Sequence, residues 1–556
     1  HDLLKTVGLL SQSRHDEEGA LLAFERAFAA DPSDADSCLR AGVLRQARGD
    51  VDEAIVYYRK VVALKPEMAE AWASLGTALV LKKQPEEAYR ALETALRIRP
   101  DFPEVLNNMG MVMKENGQSA IAEKCFRMAI RSNPGYAPAH NNLGSLFLGS
   151  SSFAEAAEEF RIAVSLTPEY HLAWNNLGNA LAGLGEFHQA KQIYRAVIAE
   201  DSTIPEVHFN LGAALQFEHR FDESIRCYED ALRCRPSYAE ARLNRALVLL
   251  LKGEFEEGWR DYECRFSVKD PQRLYVPPGP EELRWDGSDI RGKRILVRPE
   301  QGFGDTIQFA RYLPLLAARG ATVLFECPKE LCGLFRGFPG IAELIEFRAE
   351  PPALPFDRYV QLLSLPGLLG THTVDAIPWP GPYVGADHAA VESIRGRFAD
   401  GLFHVGIVWG GNPVHRNDYN RSCALEEFLP LLETPGVRFF SFQKGKPLSQ
   451  LSRLPAGHGI ENLDPLLADF SMTAAYLSQM DLLISVDTSV AHLAGAMGRP
   501  VWTLIPYRPD WRWLLGRTDS PWYPSMKLFR QPSHADWGGL MRDVREELVK
   551  TAGARP

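Results

Sequence analysis

A period of 34 residues limits what the first half of this chain can fold into. Prolines stand at Pro32, Pro66, Pro100, Pro134, Pro168 and Pro236 at that step, with Ser202 in the remaining slot. Glycines keep the same step at Gly8, Gly42, Gly76, Gly110, Gly144, Gly178 and Gly212. Small residues keep it at Ala20, Ala54, Ala88, Ala122, Ala156, Ala190, Ser224 and Gly258, and each is followed one helical turn later by a large apolar residue, from Phe24 through Phe126 to Tyr262. Each period predicts a helix–turn–helix whose helices approach closely at the small residues. No single hairpin of this size buries its apolar face, so copies must stack, and stacking predicts a right-handed superhelix with a concave groove. Residues 1–272 hold eight such repeats.

The pattern is that of the tetratricopeptide repeat. One further column carries Asn108, Asn142, Asn176, Asn210 and Asn244. An amide there offers a donor and an acceptor to an extended peptide backbone; the plainer alternative is a solvated side chain. The column resembles the asparagine ladder of eukaryotic protein O-GlcNAc transferase, which implies an acceptor peptide in the groove. His140 and His208 share the column of Trp72 and Trp174, where packing is the expected role.

Composition bears on the function classes. With 46% hydrophobic and 24% charged residues, the chain is globular rather than disordered. A formal net charge of −10 argues against a dedicated nucleic-acid binder. No uninterrupted apolar run has the length of a membrane span, and the first residues lack a signal-peptide pattern. The eight cysteines are scattered without metal-ligand spacing, which suits a reducing compartment. The expected location is the cytoplasm.

After Phe266 the helical period stops. Residues 273–291, with the Pro-Pro-Gly-Pro run at 277–280, read as a linker. Then short apolar runs alternate with amphipathic helices. A strand at 295–300 leads through a glycine turn at 301–306 to a helix over 307–320 and a strand at 322–328. Second and third units open at 403–411 and 481–506. The expected architecture is α + α/β: a tetratricopeptide solenoid, then two Rossmann-like domains, 292–390 and 391–556, around a cleft.

Three strand ends carry the polar residues. In the first, Gly302 and Gly304 let a ligand approach the backbone, but Ile307 stands where a dinucleotide fingerprint needs its third glycine. Asp305 at the following helix start is either a cap or a carboxylate facing the cleft. In the second, Asn412, His415, Arg416, Asn417, Asp418 and Arg421 cluster after a glycine pair, as a phosphate and sugar clamp would. In the third, Asp487, Thr488, Ser489 and His492 open a helix whose amides suit a diphosphate. Gln443 and Lys444, at another strand end, are candidates for base or ribose contacts.

Together, residues 294–316, 356–371, 405–422, 439–445, 484–502 and 511–531 resemble the heptosyltransferase-like glycosyltransferases of family nine, which have the GT-B fold. The resemblance is greatest to bacterial members fused to a tetratricopeptide array, which include flagellin glycosyltransferases. It implies an inverting transfer from a nucleotide-sugar without a metal or cofactor. It also implies Asp305 as the base for the acceptor hydroxyl, the acceptor on the 292–390 side and the donor diphosphate at Asp487–His492. The family's lysine for the leaving phosphate is missing here, and only Arg416 and Arg421 stand in that loop. The acceptor this implies is Ser or Thr of a protein, flagellin in the nearest case. A glycan or lipid acceptor, or a scaffold with an inactive transferase half, are the alternatives. Superhelices of this kind often self-associate, so oligomeric state stays open.

Overall fold

The computed structural model describes residues 1–268, 277, 279–348, 354–378, 381–415, 417–454 and 457–553. Residues 273–276 and 278 of the expected linker, and Arg416, lie outside the described residues. The chain divides into two compact units, His1–Arg220 and Phe221–Pro556. The sequence break near 272 is therefore not the break in packing. Helices Phe221–Cys234, Ala239–Lys252 and Phe255–Tyr262 carry the repeat pattern yet belong to the second unit.

The first unit is thirteen α-helices, from Asp2–Ser13 to Pro205–Phe217. The 34-residue columns each have a mechanical role. The period proline follows the C-cap of the second helix in each repeat: Pro66 follows Lys65 and Pro100 follows Arg99. The residue before a proline is pushed out of the helical region toward extended backbone: Arg99 is extended, with ψ of 94°, and Lys65 has left the helical region, with ψ of 77°. Glycine makes room for the large residue of the partner helix. A Cβ on Gly42 would stand 2.7 Å from the Tyr58 ring, and one on Gly144 would stand 2.9 Å from the Phe160 ring. The loop carbonyl at the proline slot accepts from the residue six positions on. Trp72 Nε1 donates to Pro66 O and Trp174 Nε1 to Pro168 O, each at 2.8 Å, and a ring nitrogen of His140 and of His208 takes the same place. That column therefore ties loop to helix as well as packing.

The second unit contains two all-parallel sheets. The four-stranded sheet has the order β3-β2-β1-β4, built from β1 (Arg294–Arg298), β2 (Thr322–Cys327), β3 (Glu343–Glu346) and β4 (Arg358–Gln361). The six-stranded sheet has β5 (Phe403–Val408), β6 (Val437–Ser441), β7 (Ile460–Asn462), β8 (Leu482–Val486), β9 (Val501–Ile505) and β10 (Met526–Arg530), in the order β10-β9-β8-β5-β6-β7. Buried on both faces, the central strands are continuous apolar runs such as LLISV in β8. Chain order reverses between β1 and β4 in one sheet and between β5 and β8 in the other. Ligands of open α/β sheets bind at the carboxyl ends of the strands at such reversals.

Two local expectations differ from the structure. The helix expected over 307–320 begins earlier, at Phe303, inside the expected glycine turn, with Gly302 as its N-cap. It also breaks: Phe303–Phe309 passes through the 3-10 turn Ala310–Tyr312 before Leu313–Ala318 resumes. Pro314 explains the break, since it has no N–H for the preceding turn.

Candidate active site

The Phe303–Phe309 helix follows β1, and the Ser489–Ala496 helix follows β8. The two pack against each other at their amino-terminal turns, and Gly304 is what lets them. A Cβ at Gly304 would stand 2.8 Å from His492 Cδ2 and 3.5 Å from Ser489 Cα. The sequence marks Gly304 for ligand approach; the structure shows it admitting the opposite domain's histidine. Two helix amino ends, each partly positive, thus meet in one cleft.

Asp305 lies in the first turn of its helix. Its Oδ2 accepts from Gly302 N at 2.9 Å, so it caps the helix as well as facing the cleft. Its Oδ1 is ion-paired with Arg512 Nη2. Arg512 is held from three more sides: Nε donates to Gln308 Oε1 at 3.0 Å, Nη1 to Asp510 Oδ1 at 2.8 Å, and the guanidinium lies 4.3 Å from the Trp511 ring centroid. Sequence reasoning missed Arg512. Its signal was a lone arginine between two tryptophans, 207 residues from its partner.

After β8, Asp487 is buried beside His492, whose Nε2 lies 3.7 Å from Asp487 Oδ1. The His492 ring stacks on Trp513, and its Nδ1 is 3.0 Å from the Tyr523 hydroxyl. Burial works against the charge on Asp487, but His492 and then Arg421 more than offset it and lower its pKa to about 2. Thr488 is the N-cap, yet its hydroxyl turns back to Ser485 Oγ at 2.9 Å instead of capping. The first amides of the Ser489–Ala496 helix therefore have no side-chain cap from Thr488.

After β5, the loop folds over its own glycines. Gly411 N donates to Ser422 Oγ at 2.8 Å, Ser422 Oγ donates to Asp418 Oδ1 at 3.0 Å, and a Cβ on Gly411 would meet Arg421 Nε at 2.9 Å. Arg421 also lies near Asp418, at 3.4 Å. Asn412 shapes the turn by accepting from Val414 N at 3.1 Å, and Asn417 N donates to His415 Nδ1 at 3.2 Å. His415 is exposed; what enclosure it has, with Arg421 next, lowers its pKa against the pull of Asp305, Asp418 and Asp510. Those charges come from both domains, so His415 stands at the cleft between the sheets.

Gln443 does not reach for a ligand. It is buried, its Oε1 accepts from Trp409 N and Gly410 N at 3.1 and 2.8 Å, and its Nε2 donates to Gly410 O and Lys444 O at 3.0 and 2.9 Å. A primary amide has no further capacity of note, so Gln443 clamps the β5 turn, a correction to its expected base or ribose contact. Lys444 bonds the carbonyls of Asp464 and Leu467 at 3.2 and 2.8 Å.

The asparagine column, in the first unit, is built into the stack. Asn142 Nδ2 donates to Asn107 Oδ1 at 2.8 Å, and Asn176 and Asn210 donate to Asn141 and Asn175 at 2.9 Å. Asn108 reaches Thr77 Oγ1 at 2.8 Å. Asn108, Asn142, Asn176 and Asn210 are half-buried, and each links its repeat to the one before; Asn244 is half-buried in the second unit.

Residues 430–531 match the model of glycosyltransferase family 9 (heptosyltransferase). Tetratricopeptide-repeat models match 45–111, 109–171, 171–203 and 209–258. Tetratricopeptide-repeat matches thus precede a stretch similar to glycosyltransferase family 9. The family 9 match takes in Asp487–His492 and Arg512 and starts beyond Asp305 and the Gly411–Ser422 loop. Protein FlbA of Caulobacter vibrioides is 29% identical over 310 residues, which are 51% of this chain and 51% of that protein. The chain thus aligns with about half the length of that relative. Among solved structures, the Cut9–Hcn1 hetero-tetramer matches at 18% identity with TM-score 0.39, over 41% of this chain and 45% of that one. Pseudomonas aeruginosa pilF matches at 21% identity with TM-score 0.35, over 39% of this chain and 98% of that one. Scores this low decide nothing about function. Among the described residues, no helix is long and apolar enough to cross a membrane.

Proposed function

We propose that this chain is a nucleotide-sugar-dependent glycosyltransferase that moves a sugar onto a Ser or Thr hydroxyl of a protein captured by the repeats. The observation that carries the reading is the meeting, at Gly304, of the Asp305 helix start with the Asp487–His492 helix start. One side offers a carboxylate. The other offers helix amides, His492 and Arg421.

The donor diphosphate lies against the amino end of the Ser489–Ala496 helix, where the amides and dipole favour an anion. Arg421 and His492 flank it, and Arg421 takes the place of the missing lysine. As the bond from the anomeric carbon to the phosphate oxygen breaks, this positive end stabilises the departing diphosphate. Asp305 keeps roughly half of its ~4 lone-pair sites free after binding Gly302 N and Arg512. It accepts the acceptor's hydroxyl proton through one of them, while that oxygen bonds to the anomeric carbon. Attack from the side opposite the diphosphate gives inversion. Charge stabilisation is assigned to amides and guanidinium groups, so EDTA is expected to leave the rate unchanged. Flagellin is the acceptor to which the family resemblance points, and a cytoplasmic location fits a nucleotide-sugar donor.

The test is sugar transfer followed by intact-protein mass spectrometry, with wild type and Asp305→Ala. Loss of transfer on the order of 10²–10⁴-fold is expected for a removed general base. Undiminished transfer by Asp305→Ala would remove the assignment.

A further inference from the structure

The second unit holds a buried cation that the site as described does not use. Arg265, in the 3-10 turn Glu263–Phe266 that ends the last repeat, is 3% exposed. Its fork grips Glu300, with Nε to Oε2 at 2.8 Å and Nη2 to Oε1 at 2.9 Å. Nη2 also donates to Ser364 Oγ at 2.8 Å, and Leu363 N donates to the same Glu300 Oε1 at 3.1 Å. Glu300 lies just past β1, and Leu363 and Ser364 lie just past β4. Arg265 therefore pins together the carboxyl ends of the two strands between which chain order reverses. Gln301 Nε2, next along, donates to the Tyr262 hydroxyl at 2.9 Å.

The same repeat reaches the other half of the Asp305–Arg512 pair. Trp259 meets Trp511 edge to face at 5.2 Å between centroids, and Trp511 is the ring over which Arg512 lies. Trp259 also packs on Phe309, at the end of the Asp305 helix, at 6.4 Å. One repeat thus holds both sides of the ion pair, one through Arg265 and Tyr262 and the other through Trp259.

We propose that Arg265 is a positioning residue for Asp305: the last tetratricopeptide repeat works as part of the catalytic half, fixing the Glu300–Asp305 loop through the buried Arg265–Glu300 pair. A bidentate, desolvated guanidinium–carboxylate pair has one geometry, unlike a surface ion pair. The role in transfer rests on the reading of Asp305 as base; the fixing of the loop does not.

Hydrogen–deuterium exchange on the full chain tests it. Arg265→Met is expected to speed amide exchange across residues 299–308 by about 10-fold or more, with β5 and β8 unchanged. Arg265→Lys, which keeps charge but loses the fork, falls between. Tyr262→Phe removes only the hydroxyl that Gln301 reaches and should move the same peptide in the same direction. In transfer assays, kcat falls in that order while donor KM holds. Unchanged exchange over 299–308, or equal acceleration throughout the second unit, overturns the proposal. If the wild-type chain transfers no sugar, the function fails, and the exchange data still decide the positioning claim.

Discussion

Asp487 carries its charge in a buried setting because His492 and Arg421 stand beside it. Its pKa is lowered on folding, so it contributes stability above the unfolded value of about 3.9 that is lost as pH falls toward the folded value. Asp487→Asn should therefore be less stable than wild type at pH 6, with the gap closing between about pH 4 and pH 2; urea midpoints against pH measure it. A gap that widened on acidification would contradict the assignment. Gly304→Ala forces a Cβ to 2.8 Å from His492. Overpacking there should cost about 1–3 kcal/mol of stability and shift His492 off its seat, seen as a lower melting temperature and weaker nucleotide binding. At this scale Asp305 and Asp487 were legible because strand-end carboxylates at helix starts have a local pattern. Arg512 was not, since its meaning depends on a partner more than 200 residues away. Nor was the commitment of Gln443, whose position in sequence reads equally well as a ligand contact.

Among elements, the repeats were the most readable, because each column answers to one contact: proline to the pre-proline cap, glycine to a large apolar side chain facing it. The asparagine column shows where such reading stops. Period places Asn142 and Asn176 on one face, but only the structure shows that each donates to the buried asparagine of the preceding repeat. Asn142→Ala leaves Asn107 Oδ1 without that bond, and a loss of about 1 kcal/mol is expected in the denaturation of the full chain. The broken helix after β1 was hidden for another reason. Its apolar period runs through 307–318 without a gap, and the interruption comes from the ring of Pro314 and the tight start at Gly302. The last repeat reads in sequence as one more copy, yet its packing belongs with the sheets, through two residues that the 34-residue pattern leaves unspecified, Trp259 and Arg265.

For the molecule as a whole, the claim at stake is that the carboxyl ends of β5 and β8 hold a nucleoside diphosphate. The charge of −10 does not oppose this, since the local field is set by a helix amino end and Arg421. Binding to the folded state alone stabilises it by about 2.7 kcal/mol at 100 times Kd. The direct measurement is a thermal-shift comparison of the full chain with UDP, ADP, GDP and CMP, each with and without EDTA, alongside Arg421→Ala. The expected result is that one of the three nucleoside diphosphates raises the melting temperature strongly and the monophosphate CMP does not, that EDTA changes nothing, and that Arg421→Ala abolishes the rise. No rise with any of the three diphosphates, a rise with CMP alone, or an equal rise in Arg421→Ala, would contradict the account.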